Sequence, residues 1–261
     1  KFGIERFINQ QKKFFNKEFW KYALGFNIPL LAYYLSQVIF NQSDRIMISH
    51  ITSTSDAAMY GVAYNLAMIL TFVLNAINGS YVPWLYGKIK KNNAQDNKSI
   101  SLILIMLMGL IILCVIWYAP EIILIMAGKQ YSVAIYVVAP VSMSLLLLFY
   151  SQLFINIEFY YEEKKMLVYG SIGAAVLNII LNGLLIPIFG FVAAGYTTLI
   201  SYIVFALSNY YTMRLMLKKR KLDDDMYDYK LLLLLFVAFM ISGFLGVSLY
   251  GNLILRILIT L

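Results

Sequence analysis

The chain has 261 residues, 61% of them hydrophobic and 13% charged, with a mean hydropathy of +0.75. Soluble domains carry roughly 25% charged residues, so this chain has too few polar groups to cover a water-facing surface, which excludes a soluble enzyme or binding module. The net charge of +8 would raise nucleic acid as a partner in a soluble protein, but its distribution in loops between apolar runs leaves no nucleic acid partner.

Residues 4–20 interleave Ile4, Phe7, Ile8, Phe14, Phe15, Phe19 and Trp20 with lysines. That pattern suits a basic amphipathic helix on a lipid surface, or equally a linker from a preceding domain. Seven stretches then reach the roughly 20 apolar residues that cross a bilayer core: about 22–49, 58–86, 99–119, 133–157, 166–188, 191–213 and 230–250. An eighth begins at Asn252. These runs are too long for the spans of an outer-membrane barrel, about 9–11 residues of alternating polarity. The expected fold is an all-α polytopic transmembrane helix bundle. The run from Glu121 to Gly128 is short and is expected to lie at the interface between two spans. Lys1 at the start and the unfinished apolar stretch Gly251–Leu261 give the chain the look of a piece of a longer protein. No cleavable signal peptide is expected in Lys1–Lys21, which lacks a continuous apolar core.

Charge placement tests this division independently, because cytoplasmic loops favour Lys and Arg. Alternate loops hold eighteen basic residues on one side against two, Arg45 and Lys129, on the other, with Arg256 left over near the end. The lysine-rich side is therefore expected to be cytoplasmic. Trp20, Tyr22, Trp84, Tyr86, Tyr160, Tyr161, Tyr210 and Tyr211 fall at that interface, and Trp117 and Tyr118 at the other, as amphipathic rings do. The expected organisation is a cytoplasmic amphipathic linker over 1–21 and a six-helix lobe over 22–213. A cytoplasmic loop over 214–229 and additional C-terminal helices over 230–261 follow.

Little chemistry of an enzymatic kind is legible. One histidine, His50, cannot build a His-rich metal site or a histidine-based triad within the chain, and no Gly-rich phosphate loop ends in Lys-Ser/Thr. His50 reads as an interfacial residue. The one cysteine, Cys114, lies in an apolar run and is expected to be a buried thiol. The Asp223–Asp225 run and the Glu162–Lys165 turn read as solvated loops.

Asp44 and Arg45 are more informative. They sit in Asn41-Gln-Ser43-Asp44-Arg45-Ile-Met-Ile-Ser49, where the apolar helix resumes after the charges. Ionisable groups at membrane depth are costly and are functional candidates by default. The alternatives are a structural ion pair or a helix end at headgroup depth. In the fifth span Gly170, Ala174, Asn178 and Asn182 recur at steps of four and so share one helix face. Small residues there permit close helix approach and the asparagines can hydrogen-bond across it; a polar stripe lining a substrate path is the alternative. Pro29 and Pro140 each interrupt a span and are hinge candidates, because proline removes a backbone hydrogen bond and can kink a helix.

The run Lys21–Leu31 with Pro29, then Ser43-Asp44-Arg45-Ile-Met-Ile, then Tyr60-Gly61-Val-Ala63-Tyr64 resembles the opening of the second half of polysaccharide flippases. These belong to the multidrug/oligosaccharidyl-lipid/polysaccharide exporter superfamily. The resemblance continues through Pro83-Trp84, Ala127-Gly128 to Ala134, Leu177-Asn178 to Asn182, and Ile186-Pro187 to Ser201. It implies two lobes of helices about a pseudo-twofold axis, with this chain as the second lobe of a MATE-like transporter and an N-terminal lobe elsewhere in the same protein. It further implies export of an undecaprenyl-diphosphate-linked oligosaccharide across a bacterial inner membrane by alternating access. The partners would be that lipid-linked oligosaccharide, membrane lipids and a coupling H+ or Na+, with no cofactor and no metal. Arg45 is the candidate for the diphosphate and Asp44 for the coupling ion. A lipid II flippase and a cation-coupled multidrug antiporter remain alternatives within the superfamily, and a membrane glycosyltransferase or ligase outside it. The short outer loops, nearly free of charge, argue against the last.

Overall fold

The computed structural model describes residues 16–163, 165–222, 225–253 and 255–256. Among these, the ordered elements are helices: α1 (Lys17–Ile51), α2 (Thr54–Lys90), α3 (Asn97–Trp117), α4 (Ala119–Met126), α5 (Ile135–Tyr160), α6 (Lys165–Phe189), α7 (Val192–Lys219) and α8 (Tyr229–Ser248), with short 3-10 turns before α3 and α5. In hydrocarbon every backbone N–H and C=O must find a partner within the protein, and a helix meets that demand from its own segment. Where helices start, side chains serve the first N–H groups. Asn16 accepts from the amides of Glu18 and Phe19, Ser53 from Asp56, and Asp228 from Leu231, as N-caps do. The α6–α7 turn depends on Gly190, at φ +71°, a left-handed conformation that only glycine adopts without strain.

Among the described residues, six of the seven expected spans, in α2, α3 and α5–α8, are long and apolar enough to cross a membrane. The 35 residues of α1 extend roughly 50 Å at 1.5 Å per residue. The helices run past the apolar cores read from the sequence: α2 reaches Lys90 and α7 reaches Lys219, carrying lysines into the last turn. The stretch from Glu121 belongs to a two-turn helix, α4, that opens at Ala119 with Pro120 in its first turn. Residues 1–15, with most of the expected amphipathic linker, lie outside the described residues.

The architecture places α5 at the centre, packed against α2, α3 and α7; α6 lies between α1 and α7, and α8 covers α3. From Val137 to Glu158 nearly every residue of α5 is buried. By contrast α8 buries only Leu232, Phe239, Gly243 and Gly246. Its Leu231, Leu233, Leu234, Val237, Ile241, Phe244 and Leu245 face outward, as do Phe72, Ile125 and Ile188, the last three each at least 70% exposed. Apolar surface on this scale belongs to a multi-pass membrane protein in contact with lipid.

Close approach of α8 is set by two glycines facing bulky neighbours. A Cβ on Gly109 of α3 would stand 2.3 Å from the Phe239 ring, and one on Gly243 would stand 2.0 Å from the Met143 methyl. Small residues drive such packing where no hydrophobic effect separates helix from lipid.

One sequence expectation is corrected. Cys114 is exposed on the surface of α3, because an apolar run in lipid presents its apolar side chains outward as readily as inward. Asp225 is exposed, as expected of a solvated loop, and forms a surface ion pair with Lys98. Glu163 approaches Arg220 at 3.8 Å. Arg256 is buried, with its guanidinium bidentate on Glu121 at 2.6 and 2.9 Å and donating to the Trp117 carbonyl at 2.6 Å. Burial of the Glu121 carboxyl works against its ionisation, but the Arg256 hydrogen bonds prevail and hold it below the usual carboxylate range.

Candidate functional site

The polar residues of α1 are arranged along the face that meets α6. Ser36 donates to Ser171 at 2.9 Å, and Ser43 donates to Asn178 Oδ1 at 3.1 Å. Both pairs are separated by 135 residues in sequence. An equal offset two helical turns apart means that α1 and α6 run parallel and in constant register. One residue beyond Ser43, Asp44 enters the junction of α1, α2, α6 and α7.

There the Asp44 carboxylate is fully buried and ringed by neutral donors. Tyr60 Oη of α2 donates to Oδ2 at 2.5 Å, Thr198 Oγ1 of α7 donates to the same oxygen at 2.7 Å, and Asn182 Nδ2 of α6 donates to Oδ1 at 2.6 Å. A second layer ties these donors together. Asn182 Nδ2 also reaches Asn178 Oδ1 at 3.2 Å, Asn178 Nδ2 reaches Thr198 Oγ1 at 3.3 Å, and Thr197 donates to Asn182 Oδ1. No salt bridge involves Asp44 among the described residues. An ionised carboxylate removed from water is costly unless fully hydrogen-bonded, and here three neighbouring helices supply the hydrogen bonds. The arrangement gathers side-chain oxygens of Asp44, Asn178, Asn182, Thr197 and Thr198, the donor set that hard cations prefer.

Of the candidates named from the sequence, the structure brings together Asp44, Asn178 and Asn182 and sends Arg45 elsewhere. Arg45 faces α2, where its Nη2 donates to Asn65 Oδ1 at 2.7 Å and its guanidinium carbon lies 4.9 Å from the centre of the Tyr64 ring. Its Nε is buried without a partner among the described residues. The guanidinium also packs over Gly61, where a Cβ would be in ordinary van der Waals contact at 3.9 Å from its carbon. The Gly170–Asn182 stripe is buried against α1 and α7 in its asparagine half, and a Cβ on Gly170 would meet Ser208 Oγ at 2.7 Å. Pro140 is buried within an unbroken α5 and packs against α7 at Gly195. Pro29 falls within α1, and its side chain lies outside the described residues.

Sequence reasoning missed Tyr60, Thr197 and Thr198 as partners of Asp44, and it missed Glu158. Glu158 lies two residues before the end of α5, wholly buried, and neither carboxylate oxygen has a hydrogen-bond partner among the described residues. No cluster of His, Cys, Asp and Glu suited to a metal occurs among the described residues.

Residues 2–87 match the polysaccharide biosynthesis protein family. Over 167 residues the chain is 27% identical to a protein of the Lsg locus of Haemophilus influenzae, an alignment covering 60% of this chain and 40% of that protein. Over 90 residues it is 29% identical to an uncharacterized membrane protein of the same organism, covering 34% of this chain and 22% of that one. Two solved structures share its fold across 86% of its length. One is a MOP superfamily transporter from Pyrococcus furiosus, with a TM-score of 0.59. The other is a multidrug resistance MATE family transporter in an outward-facing conformation, with a TM-score of 0.60. Each is 19% identical in sequence.

Over residues 2–87 the chain is similar to polysaccharide biosynthesis proteins, and it has the fold of MOP superfamily transporters. It spans less than half the length of the two curated relatives and 52% of each solved MOP transporter.

Proposed function

We propose that this chain is the second lobe of a flippase that exports an undecaprenyl-diphosphate-linked oligosaccharide across the bacterial cytoplasmic membrane, with Asp44 as the ion-coupling group. The observation that carries the reading is the buried Asp44 carboxylate, held by neutral hydroxyls and amides from α2, α6 and α7, in a chain similar over residues 2–87 to polysaccharide biosynthesis proteins. A sugar diphosphate cannot cross hydrocarbon unaided, because its charged groups would lose hydration. A transporter must therefore shelter the headgroup and alternate between two states.

A carboxylate at a four-helix junction provides a two-state element. With H+ or Na+ bound at Asp44, the junction is electrically neutral and its donors can rearrange; without it, the donors are drawn onto the carboxylate. Binding that differs between the two arrangements is what shifts their populations. Arg45, on the neighbouring face against Asn65 and Tyr64, carries the positive charge suited to a diphosphate. Pro29 and Pro140 are the proposed hinge positions, with Pro140 at the α5–α7 contact through Gly195.

The test uses the whole transporter in cells whose own copy is deleted, with surface polysaccharide measured at equal membrane levels of protein. Asp44→Asn and Arg45→Ala are expected to lower surface polysaccharide at least tenfold. Normal levels in either variant would remove that residue from the proposed role. A cation-coupled drug exporter is a second reading, favoured by the all-neutral, oxygen-rich surroundings of Asp44. It predicts that deletion changes drug susceptibility and leaves surface polysaccharide intact.

A further inference from the structure

A groove of about 410 Å3 opens between α5, α7 and α8, lined by Leu147, Phe154, Ile203, Leu207, Leu233 and Phe236 among others. The stretches that form it are 147–154 of α5, 203–210 of α7 and 229–236 of α8. On α5 they begin the C-terminal half, on α7 they lie at mid-helix, and on α8 they form the N-terminal end. The C-terminal ends of α5 and α7 and the N-terminal end of α8 are on the lysine-rich side of the molecule. The groove therefore occupies about one leaflet's depth, and its mouth is at one interface.

Along α7 the positions Ile203, Leu207, Tyr210, Arg214 and Lys218 follow steps of three and four, so they form one continuous stripe. The stripe is apolar at its deep end, aromatic at Tyr210 and cationic at the interface. A second cavity, of about 310 Å3 and lined by Arg214, Leu215, Lys218 and Leu222, continues it outward. Tyr229 and Lys230 close the mouth from the first turn of α8. Arg214 donates to Tyr210 Oη at 3.3 Å, and its guanidinium lies 4.9 Å from the Tyr229 ring centre. Among the described residues, Asp225 pairs with Lys98, Asp228 accepts from the Leu231 amide, and Glu163 approaches Arg220. Lys218 and Lys230 enter no ion pair among the described residues.

We infer that this groove is a binding site for an anionic glycerophospholipid of the adjoining leaflet, with one acyl chain between α5, α7 and α8 and its phosphate against Lys218 and Lys230. The volume lies within the roughly 300–1,000 Å3 typical of small-ligand sites. Basic pockets between transmembrane helices at a membrane surface recognise anionic headgroups, and the start of α8 adds the positive end of a helix dipole at the same place. A zwitterionic lipid would fill the groove equally well but would gain nothing net from the lysines. The site is separate from Asp44 and does not depend on what the protein transports.

The purified protein, in detergent, would be titrated with phosphatidylglycerol and with phosphatidylcholine of the same chains, and bound lipid counted by native mass spectrometry. Phosphatidylglycerol is expected to bind on the order of tenfold more tightly, and high salt should erase the difference. Lys218→Gln with Lys230→Gln should abolish the preference while leaving the melting temperature unchanged. Ala206→Phe, which fills the groove, should weaken both lipids together. Equal binding of the two lipids, or a preference that survives the double lysine variant, would overturn the proposal. Displacement of phosphatidylglycerol by equimolar undecaprenyl phosphate would overturn it too, by making the occupant a polyprenyl carrier.

Discussion

Asp44 and Arg45 are consecutive in sequence and make no ion pair with each other: the carboxylate accepts from Tyr60 at 2.5 Å, while the guanidinium donates to Asn65 at 2.7 Å. Both partners belong to α2, five residues apart. The rotation between successive helix positions, about 100°, turns the two charges to different faces. Asp44 enters the α6–α7 junction, and Arg45 lies over Tyr64. This separation makes their roles individually testable.

Removing one donor from Asp44 should be costly in proportion to its burial. Tyr60→Phe deletes the hydroxyl and leaves the ring in place, so the expected loss is about 1–3 kcal/mol, read as a lower melting temperature in detergent. Ser36→Ala with Ser171→Ala deletes a neutral pair of the same helix interface. It should cost about 0.6 kcal/mol or less in coupling, the usual scale for hydrogen bonds between membrane helices. Equal effects at the two places would mean that Asp44 is not the anchor of the junction.

The α3–α8 contact gives a steric prediction. Gly109→Ala drives a methyl group into the Phe239 ring and should destabilise the fold by about 1–3 kcal/mol. Adding Phe239→Leu should recover most of that loss, because the two changes share one contact and are not additive. Thermal unfolding of the two single variants and the double variant measures the coupling.

The Glu121–Arg256 pair predicts a pH dependence. The Glu121 carboxyl is held below its ordinary value, so the folded state binds its proton less readily than the unfolded state does. The pair therefore contributes stability above the ordinary carboxylate pKa, and that contribution fades as pH falls through the lowered value. The melting temperature of the native chain should exceed that of Glu121→Gln at neutral pH, and the two should converge in acid.

What was legible in the sequence follows from what lipid does to side chains. A charge within an apolar helix and two asparagines four residues apart stand out against a hydrophobic background, so Asp44, Asn178 and Asn182 could be named. Tyr60, Thr197 and Thr198 could not, because tyrosine and threonine are unremarkable in this chain and Thr198 meets Asp44 across 154 residues. The helices and their lysine-rich ends were legible for the same reason as Asp44. Burial was not: Cys114 sits in a run as apolar as α5, yet faces outward, since hydrophobicity in a bilayer no longer distinguishes inside from outside. Glu158 was hidden by the charged turn beside it. Only the packing of α5 shows that it lies inside while Glu162 lies outside.

Glu158 carries its own prediction. A buried carboxyl with no hydrogen-bond partner among the described residues is destabilising where it stands, so Glu158→Met, of similar length and apolar, should raise stability by about 1–3 kcal/mol. A fall in melting temperature would show that the carboxyl has a stabilising partner in the whole transporter.

The most direct test of the central claim is transport itself. The whole transporter would be reconstituted into liposomes with a labelled lipid-linked oligosaccharide, and movement between leaflets followed with and without an imposed H+ or Na+ gradient. The account predicts gradient-dependent flipping by the native protein and its loss in Asp44→Asn. Flipping by Asp44→Asn at the native rate, with the same response to the gradient, would contradict it.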